Sequence, residues 1–232
     1  MTNATTWPIP GLVISCQAPE GSPLRDPYVM AAMARAAEVA GAVGTRVQGV
    51  DDIKAVAAAT SIPIIGILKK HYDGSEVYIT ATTDDVDAVA DAGATIIALD
   101  ASPRPRPHDQ TLEEVVAHAH ARGLTVMGDL AAADEAANAI AAGVDVIGTT
   151  LIPASDEDVR PGGPNLTALE QLCREYPNVP VVAEGRFATP DDVRAAFSAG
   201  ATTVVIGRAV TDTFALAKDV VEASKSPVAA GN

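Results

Sequence analysis

Short apolar runs alternate with longer amphipathic stretches along the whole chain. Eight runs stand out: Leu12–Ser15, Ala42–Arg46, Ile64–Leu68, Thr95–Asp100, Thr125–Asp129, Val144–Thr149, Val181–Glu184 and Thr203–Ile206. Each is four to six residues long and rich in Val, Ile, Leu or Ala, as strands buried on both faces are. Between them, stretches such as Thr83–Ala92 and Asp191–Ala199 carry apolar residues at helical spacing and open on Asp or Thr residues that can cap free helix amides. Four of these stretches end alike, at Ala40-Gly41-Ala42, Ala92-Gly93-Ala94, Ala142-Gly143-Val144 and Ala199-Gly200-Ala201. In each, glycine stands where a helix hands over to a strand.

These glycines recur every 50 to 57 residues, close to twice the roughly 30 residues of one strand-helix repeat. The alternation predicts an α/β fold, and the repeat favours a single-domain (β/α)8 TIM barrel over an open sheet. The expected domain is 1–232, with 1–10 an N-terminal extension and 225–232 a disordered tail. Two stretches that follow strands, Pro103 to Pro107, stiff and extended, and Pro153 to Pro164, rich in Pro, Gly and acids, read as loops on the barrel's active face or, alternatively, as plain solvent-exposed loops.

Composition narrows the function. Aromatics make up only 3% of 232 residues against 48% hydrophobic overall, so the core is packed with aliphatic side chains. A formal net charge of −14 argues against nucleic-acid and anionic-membrane partners, which need a basic face. Cys16 and Cys173 form no CxxC pattern, and His71, His108, His118 and His120 follow no ligand spacing, so no metal is expected. No Rossmann or P-loop glycine pattern appears, so no cofactor is expected either. A start without a basic segment or apolar run, and reduced cysteines, point to the cytoplasm.

In a barrel of this kind the chemistry sits at the C-terminal strand ends. Along the chain those ends carry Ser15 and Gln17, Arg46, Lys69, Asp100, Asp129, Thr149 and Thr150, Glu184, and Arg208. Any one of these could be an ordinary polar strand exit. The set is more telling, because alternation puts Lys69 on the face of Ile65 and Ile67, Glu184 on that of Val182, and Asp100 on that of Ala98 and Ile96. A lysine beside apolar walls and other cations loses proton affinity. Lys69 is thus a candidate base or, alternatively, a Schiff-base nucleophile as in an aldolase. Glu184 could move a proton, hold sugar hydroxyls, or pair with Arg186. Gly185-Arg186 and Gly207-Arg208 follow the last two strands, where this fold commonly builds a phosphate site.

The same residues fall in segments that resemble the N-acetylmannosamine-6-phosphate 2-epimerase family. They include Val13-Ile14-Ser15-Cys16-Gln17-Ala18, Gly41-Ala42-Val43-Gly44-Thr45-Arg46, Pro63 to Lys70, Ala98-Leu99-Asp100-Ala101-Ser102 with Arg104, Arg106 and Pro107, Gly148-Thr149-Thr150-Leu151, and Ala183-Glu184-Gly185-Arg186. The likeness runs from about Leu12 to about Val221. It implies a cofactor-independent exchange of N-acetylmannosamine 6-phosphate with N-acetylglucosamine 6-phosphate, by proton removal and return at C2, in a homodimer. Lys69 and Glu184 then look like the catalytic pair, and Gln17, Arg46 and Asp129 fall on substrate-contacting positions, with Thr149 counted beside them. Gly185, Arg186, Gly207 and Arg208 look like the phosphate site. One departure stands out: where the family carries Ile-Thr-Arg-Pro, this chain has Val210-Thr211-Asp212-Thr213. An acid there would repel phosphate, which leaves an unphosphorylated or differently substituted N-acyl sugar as the alternative substrate.

Overall fold

The computed structural model describes residues 7–154 and 162–225. Its strands are β1 (Gly11–Cys16), β2 (Gly44–Gln48), β3 (Ile64–Ile67), β4 (Ile96–Asp100), β5 (Thr125–Asp129), β6 (Val146–Gly148), β7 (Val181–Glu184) and β8 (Thr203–Ile206). They pair in parallel in chain order, and β1 pairs with β8 to close the barrel. The helices are α1 (Pro27–Val39), α2 (Val50–Ala59), α3 (Thr83–Asp91), α4 (Leu112–Ala121), α5 (Ala136–Ala141), α6 (Leu166–Glu175), α7 (Pro190–Ser198), α8 (Arg208–Thr211) and α9 (Thr213–Lys225). This is the single-domain TIM barrel that the run pattern predicts.

Local chemistry explains the element ends. Thr82, Thr111 and Thr189 each accept the amide three residues on, while Asp85, Glu114 and Asp192 reach back to the cap residue's own amide, giving three capping boxes. Gly41, Gly93, Gly143 and Gly200 all hold φ between +94° and +106°, a region costly for side-chain-bearing residues. Gly66 serves a different need. A Cβ there would lie 2.5 Å from Val89 Cγ1 and 2.6 Å from Ala94 Cβ, so its absence lets α3 press onto β3.

Alternation divides the core in two. Val13, Ile65, Ile67, Ile96, Ala98, Met127, Val146, Val182 and Val205 fill the barrel interior, and residues such as Val47, Ile97, Val126 and Val204 pack outward under the helices. Trp7 and Ile9, within the expected extension, belong to the inner cluster. Thr203 ties them there, accepting from the Trp7 indole at 2.8 Å and donating to Ile9 O at 2.7 Å.

β5, β7 and β8 keep their expected limits, β1, β3 and β4 differ by one residue at one end or both, and two strands depart by two. β2 begins and ends two residues later than the apolar run, because Ala42 N still closes the preceding helix on Ala37 O and Val43 N bonds Leu12 O. β6 is shorter than its run at both ends; the Asp145 carboxylate, taking Val126 N at 2.7 Å, replaces a ladder bond at its start. Arg106, from the Pro-rich loop after β4, is buried, and its guanidinium donates to Asp100 O and Ala81 O. Much of the Pro153 to Pro164 loop, and the tail beyond Lys225, lie outside the described residues. Among the described residues no helix is long and apolar enough to cross a membrane.

Candidate active site

The C-terminal strand ends open into one cavity of about 960 Å³. Gln17, Lys69 and Glu184 line it, and so do Gly185 and Arg186 after β7 and Gly207 and Arg208 after β8. Lys69 keeps the inward phase of β3 because the chain stays extended beyond the strand: Lys69 bridges Ile79, Thr80 N bonds Leu68 O, and Lys70 N bonds Tyr78 O. Lys70 turns away and lies 4.6 Å over the Tyr72 ring.

Arg46 and Asp129 are in the same constellation but beneath the cavity surface, at 1% and 0% exposure. The Arg46 guanidinium reaches Asp129 Oδ2 at 2.5 Å and Oδ1 at 3.2 Å, and also pairs with Glu184. Glu184 therefore pairs with Arg46 from β2, whereas Arg186 donates to Ile152 O at 3.0 Å. Burial disfavours the Arg46 charge, but the carboxylates of Asp129 and Glu184 outweigh burial and hold it protonated. Burial pushes the Glu184 carboxyl above the ordinary glutamate value; Arg46 opposes that and Asp129 adds to it.

Lys69 is open to the cavity mouth, with its ammonium donating to Gln17 Oε1 at 2.8 Å, and Gln17 Nε2 donates in turn to Ser15 Oγ at 2.8 Å. Partial desolvation of the ammonium by the surrounding walls lowers the lysine's proton affinity, and the Arg46 charge lowers it further against the pull of Glu184 and Asp129.

Thr149 is not brought to the cavity. Its hydroxyl donates to Glu184 O at 2.8 Å and accepts from Glu184 N at 3.0 Å, so it aligns β7. Thr150 lines the cavity instead and contacts Asp129, Arg46 and Glu184. Sequence reading also passes over Gln48 and Arg25, both on the cavity wall and joined at 3.1 Å. Gln48 shares the inward phase of Arg46 two residues before it, a signal the later end of β2 makes visible. Arg208 is half of an exposed ion pair with Asp219 at 2.6 Å. Asp212, the departure from the family pattern, accepts Ala215 N at 2.9 Å and so caps α9.

A closed barrel that gathers an amine, a carboxyl and a buried guanidinium at its catalytic end defines a barrel enzyme of the acid–base class. Its relatives agree. The NanE family, described as "Putative N-acetylmannosamine-6-phosphate epimerase", matches residues 30–226, and the chain belongs to that family. A protein of Clostridioides difficile strain 630, named "Putative N-acetylmannosamine-6-phosphate 2-epimerase", is 40% identical over 200 residues, 86% of this chain and 89% of its own. One of the same name from Caldanaerobacter subterraneus is 42% identical over 203 residues, 87% and 85% of the two chains. The solved N-acetylmannosamine-6-phosphate 2-epimerase from Clostridium perfringens superposes with a TM-score of 0.85 at 35% identity, covering 91% of this chain and 92% of that one.

Proposed function

We propose that this chain interconverts N-acetylmannosamine 6-phosphate and N-acetylglucosamine 6-phosphate without a cofactor. In the open-chain sugar, C2–H neighbours the C1 aldehyde, so its removal leaves an enolate, and return of a proton to the opposite face inverts C2. Lys69 and Glu184 are the two proton-handling groups in this reading.

One observation carries it: Lys69 and Glu184 line one cavity from β3 and β7, four strands apart in a closed ring of eight. A small carbon acid between them would meet an amine on one side and a carboxyl on the other. If all four groups are charged, Arg46 and Lys69 balance Asp129 and Glu184. The balance survives a proton passing from Lys69 to Glu184, so little charge accumulates away from water during turnover. Gln17 orients the amine and Arg46 the carboxyl, while Gly185, Arg186, Gly207 and Arg208 receive the phosphate. The test is deuterium uptake at C2 from D2O. The wild type is expected to incorporate it, and Lys69→Ala and Glu184→Gln to lose it; full exchange in either variant would remove that residue from the mechanism. Borohydride trapping checks the covalent alternative, with no stable adduct at Lys69 expected.

A second reading keeps the epimerisation but not the phosphate. It is favoured by Asp212 and Asp219, which line the cavity beside Arg186 and Arg208 and offset their charge. Turnover of N-acetylmannosamine with and without its 6-phosphate decides between the two substrates.

The working form in this reading is a cytoplasmic homodimer. Along α9, Phe214, Leu216, Val220 and Val221 are exposed and no residue is buried, leaving an apolar face for a second copy; sedimentation gives the mass. Free thiols at Cys16 and Cys173 suit a reducing compartment.

A further inference from the structure

Two carboxyl groups meet at one guanidinium in this barrel, and a single hydroxyl stands between them. Thr150 Oγ1 lies 2.6 Å from Asp129 Oδ1, 3.4 Å from Glu184 Oε2 and 3.3 Å from Arg46 Nη1. A threonine hydroxyl has one proton and two lone pairs. The shortest contact takes the proton, so Thr150 donates to Asp129; Arg46 Nη1 donates to one lone pair, and the other is left toward Glu184 Oε2, the oxygen that also accepts from Arg46 Nη1. A lone pair facing a carboxylate oxygen is repulsive; facing a carboxylic acid it is an acceptor for the acid's O–H.

We propose that Thr150 is a positioning residue for Glu184: by donating to Asp129 it turns an acceptor on the Glu184 carboxyl and favours the form of Glu184 that carries a proton. The other charged groups that act on that carboxyl are Arg46 from β2, Asp129 from β5 and Lys69 beyond β3. Arg46 and Lys69 favour the ionised form, so the hydroxyl counters them without adding a charge. Thr150 sits on the cavity wall, beside the face from which Glu184 would deliver its proton. The adjacent Thr149 cannot do this, because its hydroxyl is engaged by the Glu184 backbone. The kinetic consequence rests on the epimerase reading; the protonation consequence does not.

The deciding measurement is carboxyl-carbon NMR titration of Glu184 in uniformly glutamate-labelled protein, assigned by loss of the signal in Glu184→Gln. Thr150→Val and Thr150→Ala remove the hydroxyl, and Thr150→Ser keeps it. Glu184 is expected to titrate at lower pH in both hydroxyl-free variants and to return toward wild type in the serine variant. A merely structural hydroxyl gives a different sign: the added methyl of valine desolvates the carboxyl and moves its titration upward. Unchanged or upward titration in Thr150→Ala overturns the proposal, and that variant stands in should the valine protein fail to fold. With N-acetylmannosamine 6-phosphate, kcat of the hydroxyl-free variants should fall about tenfold with KM held within about twofold, as expected when a general acid–base group is mispositioned. Absence of C2 exchange in the wild type would sink the epimerase reading alone, since the titration needs no substrate.

Discussion

Replacing Arg46 with leucine removes the cation from a cluster in which Asp129 is fully buried and the Glu184 side chain is 13% exposed. Leucine restores apolar volume but leaves two carboxyls facing each other away from water. Breaking a buried ion pair on one side costs about 3–5 kcal/mol. With an unfolding entropy of about 2.1 cal/mol/K per residue, a chain of 232 residues loses about 8 °C in Tm for the middle of that range. The loss should depend on pH in a definite direction. Glu184 already stands above the ordinary glutamate value in the folded state, and without Arg46 it rises further. A group raised on folding contributes its stability below its unfolded value and loses it as pH climbs through the folded one. The gap between wild type and Arg46→Leu should therefore be small near about pH 5 and wide near about pH 8. Thermal unfolding followed by circular dichroism at both pH values measures it. A gap of equal size at the two, or one below about 1 kcal/mol at the higher pH, would refute the account of Arg46 as the counter-charge of a buried carboxyl pair.

The pH profile of kcat/KM should be a bell narrower than free glutamate and lysine would give, since Glu184 is raised and Lys69 lowered; a limb at either ordinary value would contradict the pairing. The same bell results whichever of the two carries the proton in the working form. Gly66→Ala should lower urea stability by about 1–3 kcal/mol, because its methyl would press into Val89 and Ala94; a neutral result would mean α3 can move off β3. At Asp212 charge and cap can be separated. Asp212→Ala should destabilise α9 by about 1 kcal/mol, read as faster amide exchange there, while Asp212→Asn should keep the cap and lower KM for the phosphorylated sugar. An unchanged KM in the asparagine variant would show that the carboxylate does not act on the phosphate.

Much of this protein is legible before it folds. A strand shows itself by a local apolar run, a helix start by Thr or Asp, and a helix end by glycine, so the elements and their limits to within a residue or two follow from short stretches read in isolation, while closure takes the pairing of β1 with β8. The inward phase of Glu184 is equally local, since it needs only two-residue alternation from Val182, whereas Lys69, past the end of β3, holds that phase through its pairing with Tyr78 to Thr80. Other features depend on which strands become neighbours. Arg46 is 83 residues from Asp129 and 138 from Glu184 in the chain, and nothing near Arg46 marks it as their shared counter-ion rather than a surface group. The roles of Thr149 and Thr150 are divided in the same way: adjacent and chemically identical, they part only because the pairing of β6 with β7 turns one hydroxyl to the backbone and leaves the other facing the cavity. Alternation and capping are properties of a few consecutive residues, whereas burial, charge pairing and proton affinity are properties of whatever the closed barrel brings within a few ångströms.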